Sequence, residues 1–524
     1  MRSIKFWLTI IISVIGTTVF AYHPSVSDSI SFKTPFEEEI LTNIDQHEAL
    51  ELLLAISEKA TPEYVEKIKV DILAFKKVLH DKRFDKKSEA KRVKILFDLT
   101  HRTFFQKYRE IASFDKIFDT KEYNCVSATA LYGVIMKEYD IPFTIKETPT
   151  HVYSIAYPNT EGIVLESTAP QNGYFYTDEN DIRKTVNALV ESKYFTQEEV
   201  DVKGARTLYN EYFFSNDNIS LQQLAGLQYH NESVSYLKDQ QYVRALNSCR
   251  KLELLYPSEK SEYLKYIILS HLLHDADMDA LEDIVYLTQY ANLSIVDKDK
   301  ITDVYRGIIS EELFANSNVS FVSTGYDYLI ANIEDATLRE EITELYYVAM
   351  GGFYAQTSNF SESLKYAAKA YALNESNVNV QALIAKTIIQ ELANRTGSVS
   401  TIERMKGYAQ QFPFLSQNSG YQSLYFFTCC YIAYNYYVAD NIEQGLEYMK
   451  KAESIRKEWG DKLGFDENRY GLVYAEAGAA YFRKGKYKQA KNIIERGLNT
   501  MPGHPELKVR LEIVIDEMRK RGVQ

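Results

Sequence analysis

The sequence predicts two parts joined end to end, an α+β domain in the N-terminal portion and an all-α array of paired helices behind it. The chain has 524 residues, more than one hydrophobic core fills, so at least two domains are expected. Between about 121 and 170 a helical pattern gives way to three short strand-like runs, with helical patterns on either side. In the C-terminal half a phrase built of tyrosine and small residues recurs at helical spacing. These changes of texture set the boundaries: a leader at 1–21, an α+β domain at 22–215 with its core at about 90–175, and a helical array at 216–524.

The leader stands apart. Arg2 and Lys5 precede an apolar run from Phe6 to Gly16, and the segment closes on Val19-Phe20-Ala21. That layout predicts a cleavable secretory signal cut between Ala21 and Tyr22, because the apolar run is short for a membrane span. An exported protein, periplasmic or extracellular, is the expectation, with no stable membrane span after cleavage. The formal charge is −12, or −14 once the leader is removed. An acidic chain without a basic stripe argues against nucleic acid as a partner.

Helical patterns run over Phe36–Glu58, Pro62–His80 and Lys87–Ala112. Thr61-Pro62 reads as an N-cap followed by proline at the first helical position. Val126–Tyr139 carries one more helix, ended by Asp140-Ile141-Pro142. Strands are expected at 143–148, 151–157 and 163–168, the last two joined by the turn Pro158-Asn159-Thr160-Glu161-Gly162. From about Asp178 the pattern is helical again.

The chain holds four cysteines, at 125, 249, 429 and 430, too few for an exported fold stapled by disulfides. Cys249, Cys429 and Cys430 fall on apolar helical positions. Cys125 stands where the loop Lys121-Glu122-Tyr123-Asn124 becomes a helix, and a helix N-terminus favours a negative sulfur and offers free N–H groups to an oxyanion. His151 follows at the start of the middle strand and Glu166 at the end of the next. The five-residue hairpin turn brings these two near each other across the ladder. A thiol, an imidazole and an acid in this order make a nucleophile–base–orienter triad. Tyr123 and Asn124, with side-chain donors just before the thiol, are oxyanion candidates.

The run Tyr-Asn-Cys125-Val-Ser-Ala-Thr-Ala-Leu-Tyr, with Ile-Pro, Thr-His151-Val-Tyr and Leu-Glu166-Ser-Thr after it, resembles the transglutaminase-like core of the papain-like superfamily, over roughly 90–175. The resemblance implies an α+β papain/transglutaminase-like domain with Cys125 as nucleophile, His151 as general base and Glu166 as the residue that orients the ring. Glu166 stands where such proteins commonly carry aspartate, so one more methylene must be absorbed by strand register.

Farther on, Tyr474, Ala477, Gly478, Tyr481, Gly485, Tyr487, Ala490, Ile494, Gly497 and Pro502 resemble the 34-residue tetratricopeptide (TPR) pattern of two antiparallel helices. The phrase recurs from Tyr236 with Ala245 and Cys249, from Tyr354 with Ser363 and Ala367, and from Tyr436 with Gly445 and Met449. A TPR-like solenoid over 220–520 is expected, its concave face taking a protein or peptide. The spacing of His271 and His274, with Asp275 and Asp277 beside them, reads as a solvated helix end, so no metal or other cofactor is expected. Together these features predict an exported cysteine enzyme acting on amide bonds, as peptidase, amidase or acyl transferase, with a partner-binding array. The alternative is an inactive transglutaminase-like adaptor that works through its repeats alone.

Overall fold

A computed structural model describes residues 30–523 except 149–150, 168–173, 176–178, 192–193, 215–217, 276–279, 394, 396 and 465. The leader and its expected cleavage point therefore lie outside the described residues. Among the described residues no helix is long and apolar enough to cross a membrane. The chain divides into two compact units, 1–301 with 331–334, and 302–330 with 335–524.

The first unit begins with helices α1 (Pro35–Thr42), α2 (Ala49–Leu54), α3 (Pro62–Asp81) and α4 (Glu89–Thr103). Thr61 caps α3, its hydroxyl accepting from Tyr64 N at 3.2 Å. The single helix expected over Phe36–Glu58 is two, parted by a 3-10 turn at Ile44–Gln46. The helix expected to reach Ala112 stops at Thr103, and strand β1 (Lys107–Tyr108) follows. Its backbone is claimed by strand β2 (Glu122–Tyr123), which lies beyond α5 (Lys116–Asp119). Gln106 N donates to Lys121 O at 3.0 Å and Arg109 N to Tyr123 O at 2.9 Å, so the ladder satisfies groups that would otherwise continue the helix.

Helix α6 (Cys125–Glu138) follows, then strands β3 (Phe143–Glu147), β4 (Val152–Ala156), β5 (Ile163–Leu165) and β6 (Tyr174–Phe175). Helices α7 (Glu179–Glu191), α8 (Gln197–Lys203) and α9 (Ala205–Phe214) lead to β7 (Asn218–Ile219). The sheet is antiparallel in the order β6-β5-β4-β3-β7. Tyr153 and Ile155 of β4 and Val164 of β5 bury against Ile182 and Val186 of α7 and Leu208 and Tyr209 of α9. Helix α6 packs on β3 and β4, and Thr129 Oγ1 donates to Val152 O at 3.3 Å.

The unit continues through α10 (Leu221–Lys238), α11 (Tyr242–Leu255), α12 (Glu259–Asp275) and α13 (Leu281–Ala291). The change of texture at 215 is therefore not where the compact units part. Polar groups at the back of the first repeat are built into the N-terminal domain. Gln228 donates to Leu53 O at 3.0 Å and accepts from Phe114 N at 2.7 Å. Glu37 of α1, wholly buried, accepts from Tyr229 Oη at 2.9 Å and from Lys251 Nζ at 2.8 Å. Lys251 is shielded from solvent too, and a charge pair at this depth is costly to break.

The second unit holds α14 (Lys298–Ile308) from Thr302 onward, α15 (Val319–Asn332), α16 (Ala336–Gln356), α17 (Phe360–Leu373), α18 (Val378–Ala393) and α19 (Val399–Gln411). Five more follow: α20 (Ser419–Val438), α21 (Ile442–Trp459), α22 (Glu467–Arg483), α23 (Tyr487–Thr500) and α24 (Pro505–Lys520). One turn joins the two helices in each of four pairs. The carbonyls of Tyr236, Tyr354, Tyr436 and Tyr481 accept from the N–H groups of Gln241, Asn359, Asn441 and Lys486 at 2.8, 2.8, 2.9 and 2.9 Å. In each turn the residue just before that N–H has positive φ: Gln240 at 59°, Ser358 at 61°, Asp440 at 56° and Gly485 at 70°. The next helix starts directly after. Its inward positions repeat as Ala245, Ser363, Gly445 and Ala490, then as Cys249, Ala367, Met449 and Ile494, all buried. This shared turn and shared core make the four helix pairs copies of one unit.

Candidate thiol active site

The loop before Cys125 is shaped by its own side chains. Asn124 caps α6: its Oδ1 accepts from Ser127 N at 2.9 Å, while Ser127 Oγ accepts from Asn124 N at 3.0 Å. Cys125 is therefore the first residue of the helix and only partly buried. Its amide and that of Val126 face no carbonyl of their own helix, a consequence of position in the first turn.

His151 immediately precedes β4. Its backbone is pinned by Thr148, whose N–H donates to His151 O at 2.8 Å and whose hydroxyl donates to the same oxygen at 3.1 Å. The β4–β5 register pairs Ser154 with Leu165. Carried one residue further, it sets Glu166 opposite Tyr153 and makes His151 the diagonal neighbour of Glu166 on the same face. His151 Nε2 and Glu166 Oε2 are 2.5 Å apart, both side chains largely sheltered. Burial works against a charge on this ring, but hydrogen bonds with Cys125 and Glu166 and their charges outweigh it, and the pKa of His151 rises to about 10. The structure thus brings together Cys125, His151 and Glu166.

The two sequence-chosen oxyanion side chains are engaged elsewhere. The amide of Asn124 donates to Glu110 O at 3.1 Å, and the Tyr123 hydroxyl donates to Ser167 O at 3.4 Å. Both donors face backbone carbonyls and hold the loop in place. Sequence reasoning overlooked Tyr108. It lies opposite Tyr123 in the β1–β2 ladder, and the charges of Cys125 and Glu166 both reach it. Its only sequence signal was an aromatic slot in a helical pattern that the structure ends earlier.

The other cysteines are core residues. Burial pushes the thiols of Cys249 and Cys429 up to about 12, and it raises Cys430 well above the ordinary thiol value. His101 sits among Phe97, Phe105 and Tyr123, with ring centroids 4.3, 5.1 and 6.1 Å away. His271 stacks on Tyr242 at 4.9 Å and 3°, while Asp277 lies outside the described residues. Among the described residues no group of three or more His, Cys, Asp or Glu is placed to hold a metal ion.

No protein-family model matches the chain, and no curated protein matches it. Solved structures do match. A tetratricopeptide repeat protein from Parabacteroides merdae is 11% identical, with a TM-score of 0.17, over 55% of this chain and 98% of its own. The TPR domain of P58(IPK) is also 11% identical, with a TM-score of 0.20, over 66% of this chain and 100% of its own. The recurrent turn and core slots described above are themselves of tetratricopeptide type.

Proposed function

We propose that this chain is an exported, protein-binding repeat protein whose N-terminal transglutaminase-like domain carries a cysteine-dependent acyl-transfer site acting on amide carbonyls. The hydrogen-bonded run from Cys125 through His151 to Glu166 carries the chemical half of this reading. A protonated ring fixed by a carboxylate stabilises a negative sulfur beside it and holds a proton ready for a leaving amine. The repeats support the broader half, since helix pairs of this kind stack into surfaces that take protein segments. Export is read from the leader alone.

A second reading, an adaptor working through the repeats with a silent thiol domain, is favoured by the engagement of both Tyr123 and Asn124 in structural bonds. Iodoacetamide labelling resolved by residue separates the two. The enzyme reading expects Cys125 to alkylate faster than Cys249, Cys429 and Cys430, and His151→Ala to slow it toward the rate of an ordinary thiol. A Cys125 rate unaffected by His151→Ala leaves the adaptor.

A further inference from the structure

We propose that the Tyr108 hydroxyl is the side-chain donor that meets the substrate oxyanion, which makes Cys125 an acyl-transfer nucleophile rather than a redox thiol. The inference rests on the thiol reading above. Tyr108 is held by backbone, not by chance packing. The β1–β2 register sets it beside Tyr123, two residues before Cys125, and hydrogen bonds at Gln106, Lys107 and Arg109 lock that register on both sides. Its ring stands edge-on to Tyr123 at 5.7 Å and 88°. Tyr123 in turn stacks on Phe105 at 4.8 Å and 24°, so one side of Tyr108 is braced against a fixed aromatic wall.

The other side is open: Tyr108 is 48% exposed, and among the described residues its hydroxyl has no hydrogen-bond partner. Cys125 and Glu166 both lie within electrostatic reach of the phenol. Partial burial, then the charges of Cys125, Glu110 and Glu166, raise its pKa, so the group keeps its proton through the neutral range and acts as a donor. Tyr123 and Asn124, nearer in sequence, cannot serve while they hold their carbonyls.

The chemistry closes without an added oxidant. The Cys125 sulfur attacks the carbonyl carbon, a C–S bond forms, and the π pair of C=O moves onto oxygen. That oxygen accepts from the Tyr108 O–H and the Cys125 N–H. Collapse re-forms C=O, the bond to the leaving group breaks, and the leaving group takes the proton carried by His151. The product on the protein is a thioester, which water or an amine then resolves. A disulfide step would need a second thiol at the site, and the other three cysteines are buried in helix cores.

Two reagents on the full-length protein test this. p-Nitrophenyl acetate acylates a thiol through a tetrahedral oxyanion, whereas iodoacetamide alkylates it by direct displacement with none. Modification of the Cys125 peptide is followed by mass spectrometry. Tyr108→Phe, which keeps the ring, is expected to slow acylation on the order of 100-fold while leaving alkylation within about twofold. Equal slowing of both reactions, or no change in either, overturns the proposal. A wild-type Cys125 whose alkylation ignores His151→Ala sinks the thiol reading itself, and is scored separately from the Tyr108 result. Thermal melts of Tyr108→Phe matching wild type show that the effect belongs to the hydroxyl.

Discussion

His151 and Glu166 meet diagonally across two antiparallel strands, Nε2 to Oε2 at 2.5 Å. Glu166 stands one residue past the last ladder pair, Ser154 with Leu165, and its longer arm still reaches the ring from there. The pair has a measurable pH signature. The folded pKa of His151 is raised from its ordinary value of 6.5 to about 10. A base whose pKa rises on folding adds stability that is complete below its unfolded pKa and is lost as pH climbs through the folded one. Urea midpoints of wild type and Glu166→Gln should therefore differ most near pH 6 and converge as pH approaches 10. A gap that widens over that range would show that the ring is not held protonated by this carboxylate.

Asn124 is expected to set the thiol's position rather than touch a substrate. Asn124→Ala removes the cap on Ser127 N and the bond to Glu110 O. A loss of about 1–2 kcal/mol in chemical denaturation is expected, together with slower alkylation of Cys125. Asn124→Ser keeps a capping oxygen and should recover most of the stability. Recovery of stability without recovery of alkylation rate would assign the Glu110 bond the larger part in placing the sulfur.

Much of this was legible in the sequence, and each part that was not has its own physical reason. The β3–β5 meander, the start of α6 and the order Cys125, His151, Glu166 are local, so alternation, capping residues and a short turn reveal them. The best repeat copy was legible because Gly485 occupies its left-handed turn position. The same position holds Gln240, Ser358 and Asp440 in the others, which are therefore legible only through their tyrosine and small-residue slots. Tyr108 was illegible because two-residue parallel strands leave no periodicity. No local pattern announces that the first compact unit runs past 215 to 301, because a contact that ties it together, Glu37 to Lys251, spans 214 residues.

That contact predicts how the chain can be cut. A fragment of 302–524 keeps α15 to α24 whole and the last seven residues of α14, and should melt cooperatively as helix. A fragment of 221–524 retains Lys251 but loses Glu37, and exposes the Gln228 and Tyr229 face of α10. An added transition at lower temperature is expected from its first helix pairs. In the full chain Glu37→Gln should cost roughly 3–5 kcal/mol, because it leaves a buried ammonium without its counter-charge. A single sharp melt of 221–524 at the temperature of 302–524 would mean that the first repeats stand without the thiol domain.

The small residues of the repeats make the last prediction. A Cβ added at Gly497 would lie 2.8 Å from both Cβ and Cγ of Tyr474, and neither atom is the free end of a flexible chain. Tyr474 is itself fixed, its hydroxyl donating to Glu453 Oε1 at 2.7 Å and lying 3.0 Å from the hydroxyl of Tyr470. Gly497→Ala gains about 1 kcal/mol in helix propensity, against an overpacking cost of roughly 1–3 kcal/mol. The net expected result is a lower melting temperature for the 302–524 fragment. Gly503, where an added Cβ meets nothing within 4 Å, is the control, and Gly503→Ala should leave the melt nearly unchanged. If Gly497→Ala raises the melting temperature instead, α22 and α23 have room to part, and the close approach at Tyr474 does not set the spacing of the pair.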